Sequence, residues 1–420
     1  MIDIQIKILG IFKKIKWINI SLIIFGLYLF IPERQENLAP IFFAASAFLV
    51  FLLNKKKEVL LKPLMITSAI YILLLISCFY SSKFSFGIKK METMSSLIIF
   101  PIIFYIFLSN FKSKLQNVLI LFYKVFFVSN LLFCFYTWYI SLNYRNPKFP
   151  IRNADFYRNV VSDLPFVGEH PIYVSMFVSL AILIGIQFYK KREIKKHLFF
   201  NGLILLSQTI MLMFLFLLMS KSVILALVLS VTVLFVLKLK WGKYFGVLTL
   251  VLLPLLIYNI PDKNNRFLEL LKEESYNQPQ QRNSTSIRMG VLKCNFLLAK
   301  RSPFIGYGIG NVQNELDKCY KKEINSNLLS GLNSHNQYFY ILLSAGVLGI
   351  IMFIAMLTFY IKIAYDNKDY LFLSIIILFS VIFLFENVLS RQTGVIMFGF
   401  IMNALTLKNY NRGNIKNVRV

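Results

Sequence analysis

The chain has 420 residues, 57% of them hydrophobic, 16% aromatic and only 15% charged, a composition that excludes a water-soluble globular domain. Its 46 lysines and arginines against 19 acidic residues give a formal charge of +27. That excess does not point to nucleic acid, because the basic residues lie between apolar runs rather than on one soluble face.

A helix needs about 20 mostly apolar residues to cross a bilayer, and such runs recur along nearly the whole chain. In chain order the predicted spans are 17–31, 38–53, 63–80, 95–109, 115–141, 171–189, 198–219, 222–238, 243–260, 337–361, 369–386 and 392–407. The expected fold is therefore all-α: one integral membrane domain over residues 1–420, with about 12 transmembrane helices and a large periplasmic loop. Lys7, Lys13, Lys14 and Lys16 precede the first apolar run in the manner of a signal sequence. No small-residue cleavage site follows, so the segment is read as a retained first span. The second, fourth and twelfth spans are short, and one of them is expected to be poorly tilted or re-entrant.

Lysines and arginines of the ends and short loops fall 24 to one side and 6 to the other, which places both termini in the cytoplasm. Two loops, residues 142–170 and 261–336, are too long for turns and fall on the outer side. The second begins as a polar strip, Asn277 to Ser286, and becomes amphipathic from Ile287 to Leu298, the pattern of a helix in the outer membrane interface. No internal repeat is found, which gives no support to an inverted-repeat transporter. Cys78 and Cys134 lie in apolar runs; Cys294 and Cys319 share the long loop, where a single bridge in an oxidising compartment is one option and free thiols the other.

The candidate chemistry is concentrated in that loop. Ser284-Thr-Ser-Ile-Arg288 is followed by Arg301-Ser-Pro-Phe-Ile-Gly306-Tyr-Gly308-Ile-Gly310-Asn311, then by Asn333-Ser-His335-Asn336-Gln-Tyr338 entering an apolar run. His335 can accept a proton near neutral pH; alternatively Ser334-His335-Asn336 merely caps the helix that follows. Arg288 presents a permanently charged fork suited to phosphate, or snorkels to lipid headgroups. Glu386 and Arg391 flank the last outer turn, where an ionisable group faces a cavity or a partner, with Arg391 or Lys221 the partners considered for Glu386. His170 opens the sixth span before Pro171 and has either an acceptor-binding role or a capping role. His197, in a lysine-rich cytoplasmic loop, is set aside. Gly306, Gly308 and Gly310 lack the strand-to-helix setting of a nucleotide fingerprint, and are read as a tight turn that brings backbone close to the substrate. No metal, nucleotide or hydrolase motif is present, so no metal or cofactor is expected.

Taken together, these segments resemble the O-antigen ligase and polymerase superfamily, whose membrane glycosyltransferases share many spans, a large outer loop, an arginine on a loop helix, a Gly-x-Gly-x-Gly element and a His-Asn pair opening the next span. The resemblance implies a metal-independent, inverting transfer of a glycan from an undecaprenyl diphosphate donor on the outer face of the bacterial inner membrane. His335 would be the base, and Arg288 and Lys221 would bind the diphosphate. Asn336, Glu386, Arg391, Gly308 and Gly310 would support the site, and Arg301 and His170 would serve the acceptor or the interface. The family usually carries Ser-Arg where this chain has Ser220-Lys221, a substitution that keeps charge and loses the fork. The acceptor implied is a lipid A core, or a second lipid-linked glycan if the chain is a polymerase; a lipid-linked glycan flippase is the competing class. Membrane lipids are expected partners and nucleic acid is not.

Overall fold

A computed structural model describes residues 17–54, 58–144, 155–189, 198–238, 269, 271–280 and 283–416. The expected span 243–260, residues 145–154 of the loop 142–170 and the first part of the loop 261–336 lie outside the described residues, as do Lys7 to Lys16. Among the described residues every regular element is helical. The helices are α1 (Trp17–Gly26), α2 (Leu38–Leu53), α3 (Leu61–Phe79), α4 (Phe84–Thr93), α5 (Ser96–Ile102), α6 (Lys112–Asn143), α7 (Phe156–Ser162) and α8 (Pro171–Gly185). They continue with α9 (Leu198–Leu218), α10 (Lys221–Lys238), α11 (Ser284–Arg301), α12 (Val312–Cys319), α13 (Gln337–Asp366), α14 (Tyr370–Ile382) and α15 (Gln392–Lys416).

Apolar surroundings leave backbone groups no partner but their own helix, which is why long runs of Leu, Ile and Phe take this form. Hydroxyls within the runs follow the same rule and donate to the carbonyl four residues back, Thr67 to Pro63, Ser175 to Pro171 and Ser230 to Ala226. Among the described residues six helices are long and apolar enough to cross a membrane, seven if one bent pair counts as a span.

The bent pair corrects the expectation for the fourth span. Lys89 and Lys90, which precede the expected span 95–109, lie on α4, and α4 joins α5 and its π-helical continuation Ile103–Phe107 across a 44° bend. Pro101 removes a backbone donor just before the π-turn. The predicted span 369–386 is also shortened: α14 ends at Ile382, leaving Glu386 and Asn387 outside the helix. Likewise the first helix stops at Gly26 rather than running on to residue 31.

Two compact units are formed, one from Met1–Leu61, Ile102–Ile224 and Asn403–Val420 so far as these are described, the other from Lys62–Pro101 and Leu225–Met402. The first is built around α8, buried over its whole length, with Phe177 between Tyr28 and Phe126. Pro171 at its first position suits the helix start, and His170 caps it by accepting from the Ile172 amide at 3.4 Å. The second unit has an aromatic core of Tyr338, Phe353, Phe383 and Phe398. Its α13 breaks at Gly346, where φ is +66°, and residues 303–308 dock into the break. There Val347 donates to Pro303 at 2.8 Å, Tyr307 to Leu343 at 2.7 Å and Gly308 to Ser344 at 3.0 Å.

Candidate active site

Arg288 lies five residues into α11, whose start is closed by Asn283 accepting from Thr285 and Ser286 at 3.1 and 3.0 Å. Glu269 also accepts from the Ser284 hydroxyl and the Thr285 amide. With the amides of Thr285 and Ser286 so engaged, an anion at this end falls to the arginine side chain. Seven residues on, Asn295 occupies the same helix face, since seven residues complete nearly two turns. Its amide donates to the Ser334 carbonyl at 2.8 Å and ties α11 to the segment that carries His335.

That segment is held on both sides of the histidine. The Asn336 side chain accepts from Phe339 at 3.0 Å as the cap of α13, and its amide donates to Leu384 at 3.0 Å. Asn387 accepts from the Ser334 hydroxyl at 3.0 Å and from the Asn336 backbone at 2.9 Å. Gln337 donates to Phe383 at 2.7 Å and accepts from Leu389 at 2.9 Å. Between these anchors His335 adopts φ +41°, the left-handed region that non-glycine residues rarely enter, with its amide held by Asn333 at 2.9 Å. Of the capping residues that the strip offered, Asn336 performs the capping, and His335 takes no part in it.

What His335 faces is Glu386. Its Nδ1 lies 3.4 Å from Glu386 Oε2, while the other carboxylate oxygen accepts from Arg288 Nη2 at 2.9 Å. Glu386 is buried, and Arg288 and His335 are about three-quarters buried. Burial by itself raises the Glu386 carboxyl; the adjacent His335 imidazole, and then the charge and hydrogen bond of Arg288, outweigh it and hold the group down at about 2. A single carboxylate thus joins the two residues that sequence reasoning singled out. Its partner is Arg288, not Arg391, which is the correction to the pairing considered from sequence.

In the segments that carry this trio several buried polar atoms have no hydrogen-bond partner within the described chain: Asn295 Oδ1, Gln337 Nε2 and Asn387 Nδ2.

The remaining candidates are placed as follows. Gly308 and Gly310 make a close approach, but to protein rather than substrate: a side chain at Gly308 would meet Ser77 and Ser81, and one at Gly310 would meet the Lys83 carbonyl. Ser77 and Ser81 accept from the Ile309 and Gly310 amides, each at 3.1 Å. Arg301, at the exposed end of α11, pairs with Glu323 at 2.8 Å. Arg391 is exposed at the start of α15, within electrostatic reach of Lys90. Lys221 and His170 belong to the first unit, where the Ser220-Lys221 turn is held by Arg158, whose Nη1 donates to Leu218 at 2.9 Å and to Ser220 at 3.4 Å. Asn295 and Asn387 were not chosen from sequence. The seven-residue spacing from Arg288 was a signal for the first; nothing local marks the second.

Cys294 and Cys319 form a disulfide that ties α11 to α12, settling the option left open by their spacing. Cys78 and Cys134 are buried thiols. Among the described residues no group of His, Cys, Asp and Glu is arranged to hold a metal.

No curated protein matches the chain. Residues 206–354, which include Lys221, Arg288, the Gly306–Gly310 turn and His335, match the family model described as O-antigen ligase, and over this stretch the chain is similar to that family.

Proposed function

We propose that the chain transfers a glycan from undecaprenyl diphosphate to an acceptor hydroxyl on the outer face of the membrane, as an O-antigen ligase. The observation that carries this reading is the Arg288–Glu386–His335 arrangement, with ion-pair distances of 2.9 and 3.4 Å about one carboxylate. The likeness of residues 206–354 to the O-antigen ligase family supports the lipid-linked glycan as substrate class. The Cys294–Cys319 disulfide supports an extracytoplasmic setting, because such bonds persist in oxidising compartments.

In the proposed reaction the acceptor oxygen attacks the anomeric carbon as His335 Nε2 takes its proton. Glu386 at Nδ1 selects the tautomer that leaves Nε2 with a lone pair, and then stabilises the imidazolium that forms. The anomeric carbon–oxygen bond to diphosphate breaks, and the electron pair stays on the diphosphate. Arg288 gives one N–H to Glu386 and keeps its other donors for phosphate oxygens, so charge developing on the leaving group is met without a metal. Displacement from the opposite face inverts the anomeric centre.

The test is a transfer assay with purified protein, lipid-linked donor and either lipid A core or a second lipid-linked repeat as acceptor. Label added to the core supports ligation, and growth only of the lipid-linked repeat assigns polymerisation instead. His335→Ala is expected to lower the transfer rate by about 10²–10⁴-fold while donor binding is kept. Full transfer by this variant would remove the proposed base, and movement of donor between leaflets with no new glycosidic bond would replace the enzyme by a flippase.

A further inference from the structure

A cavity of about 540 Å³ lies wholly inside the first unit and uses none of the residues discussed so far. It is lined by Gln116 and Lys124 of α6, Gln187 and Phe188 just beyond α8, Phe200 near the start of α9 and Lys408 of α15. Two ammonium groups and two carboxamides on an aromatic floor are a donor set for an anion that carries an apolar body.

Lys124 is the one charged residue between Leu115 and Asn143. That span has 29 residues, about 43 Å at the helical rise of about 1.5 Å, against a hydrocarbon core of about 30 Å. Taking Asn143 as one boundary of the hydrocarbon core puts Lys124, about 28 Å along the axis, at the other. Among the described residues no carboxylate lies within ion-pair distance of Lys124. The flanking sequence is strongly basic: α6 opens with Lys112 and Lys114, and Lys190, Lys191, Arg192, Lys195 and Lys196 stand between α8 and α9. Basic pockets between spans, behind basic juxtamembrane segments, suit anionic lipids.

We propose that this cavity binds the headgroup of an anionic glycerophospholipid. Lys124 and Lys408 share its phosphodiester, Gln116 and Gln187 donate to the remaining oxygens, and the glycerol and first methylenes rest on Phe188 and Phe200. The site is independent of the transfer reaction, so failure of one reading leaves the other standing.

The full-length protein, delipidated in neutral detergent, is titrated with phosphatidylglycerol, phosphatidylcholine or glycerol phosphate while its thermal unfolding is followed. Phosphatidylglycerol is expected to raise Tm saturably by about 5 °C, and Lys124→Gln with Lys408→Gln to raise the half-saturating lipid concentration at least about 10-fold. Equal stabilisation by phosphatidylcholine, or an unchanged half-saturation in the double variant, overturns the proposal. Glycerol phosphate matching the lipid at equal concentration overturns the lipid in favour of a soluble phosphate. Because the double variant could fail to fold, Phe200→Trp supplies a second readout. Its added fluorescence should be quenched by brominated phosphatidylglycerol at a lower mole fraction than by brominated phosphatidylcholine, and equal quenching by the two again overturns the site.

Discussion

Arg288 and Glu386 are 98 positions apart in the chain and meet at 2.9 Å, on the carboxylate that also faces His335. Glu386 lies outside the matched family segment 206–354, so the group that joins the two candidate catalytic residues comes from a later part of the chain. Glu386→Gln keeps the shape and deletes the charge. Transfer is expected to fall by on the order of 10²-fold or more, because the imidazolium loses its counter-ion and the tautomer its selector. Measured kcat should carry most of the loss; an effect on KM alone would show that Glu386 serves only to place Arg288.

The same carboxylate gives a pH signature. It is held at about 2 in the folded chain, whereas an unfolded glutamate titrates at about 4.3. Folding therefore favours the ionised form: the contribution is complete above about pH 4.3 and is lost as pH falls toward 2. The stability difference between the parent protein and Glu386→Gln, followed by thermal unfolding, should be largest near pH 6 and shrink by pH 3. A difference that stays constant over that interval would show that the carboxylate is not held down by its neighbours.

The Cys294–Cys319 bridge spans 25 residues and closes α11 onto α12 beside Asn295. Constraining a loop of that length is worth about 3 kcal/mol in the chain-entropy account. Cys294→Ser is expected to lower Tm by several degrees. Alkylation of the denatured, unreduced protein should label two thiols, Cys78 and Cys134, and four after reduction; four labelled thiols without reductant would show that the bridge does not form.

Gly346 has φ +66°, and a side chain there would run into the Phe304 carbonyl. Gly346→Ala combines a left-handed backbone with that clash and should undo the docking of residues 303–308 in the break of α13. Gly331 has a similar φ of +79° but open space around its Cβ position, so Gly331→Ala should cost only about 1 kcal/mol. Size-exclusion profiles of the two variants test this, and equal monodisperse yields would contradict it.

The sequence by itself determined that the chain is helical and membrane-embedded, because apolar runs leave the backbone no other way to satisfy its hydrogen bonds. It also marked Arg288 and His335, whose motifs are local and ordered along one loop. Span boundaries were less legible where chain geometry intervened: the π-turn after Pro101 and the early end of α14 at Ile382 are set by packing and backbone bonding, which hydropathy does not record. The close approach of Gly308 and Gly310 was legible as a need for glycine, but not its object, Ser77, Ser81 and Lys83. Only the tertiary structure decided that Glu386 turns to Arg288 and His335, that Asn387 holds the strip on which His335 rides, and that Cys294 pairs with Cys319. The physical reason is range: periodicity and propensity act over a few turns of chain, whereas ion pairs and bridges depend on which distant segments the packed helices bring within a few ångströms.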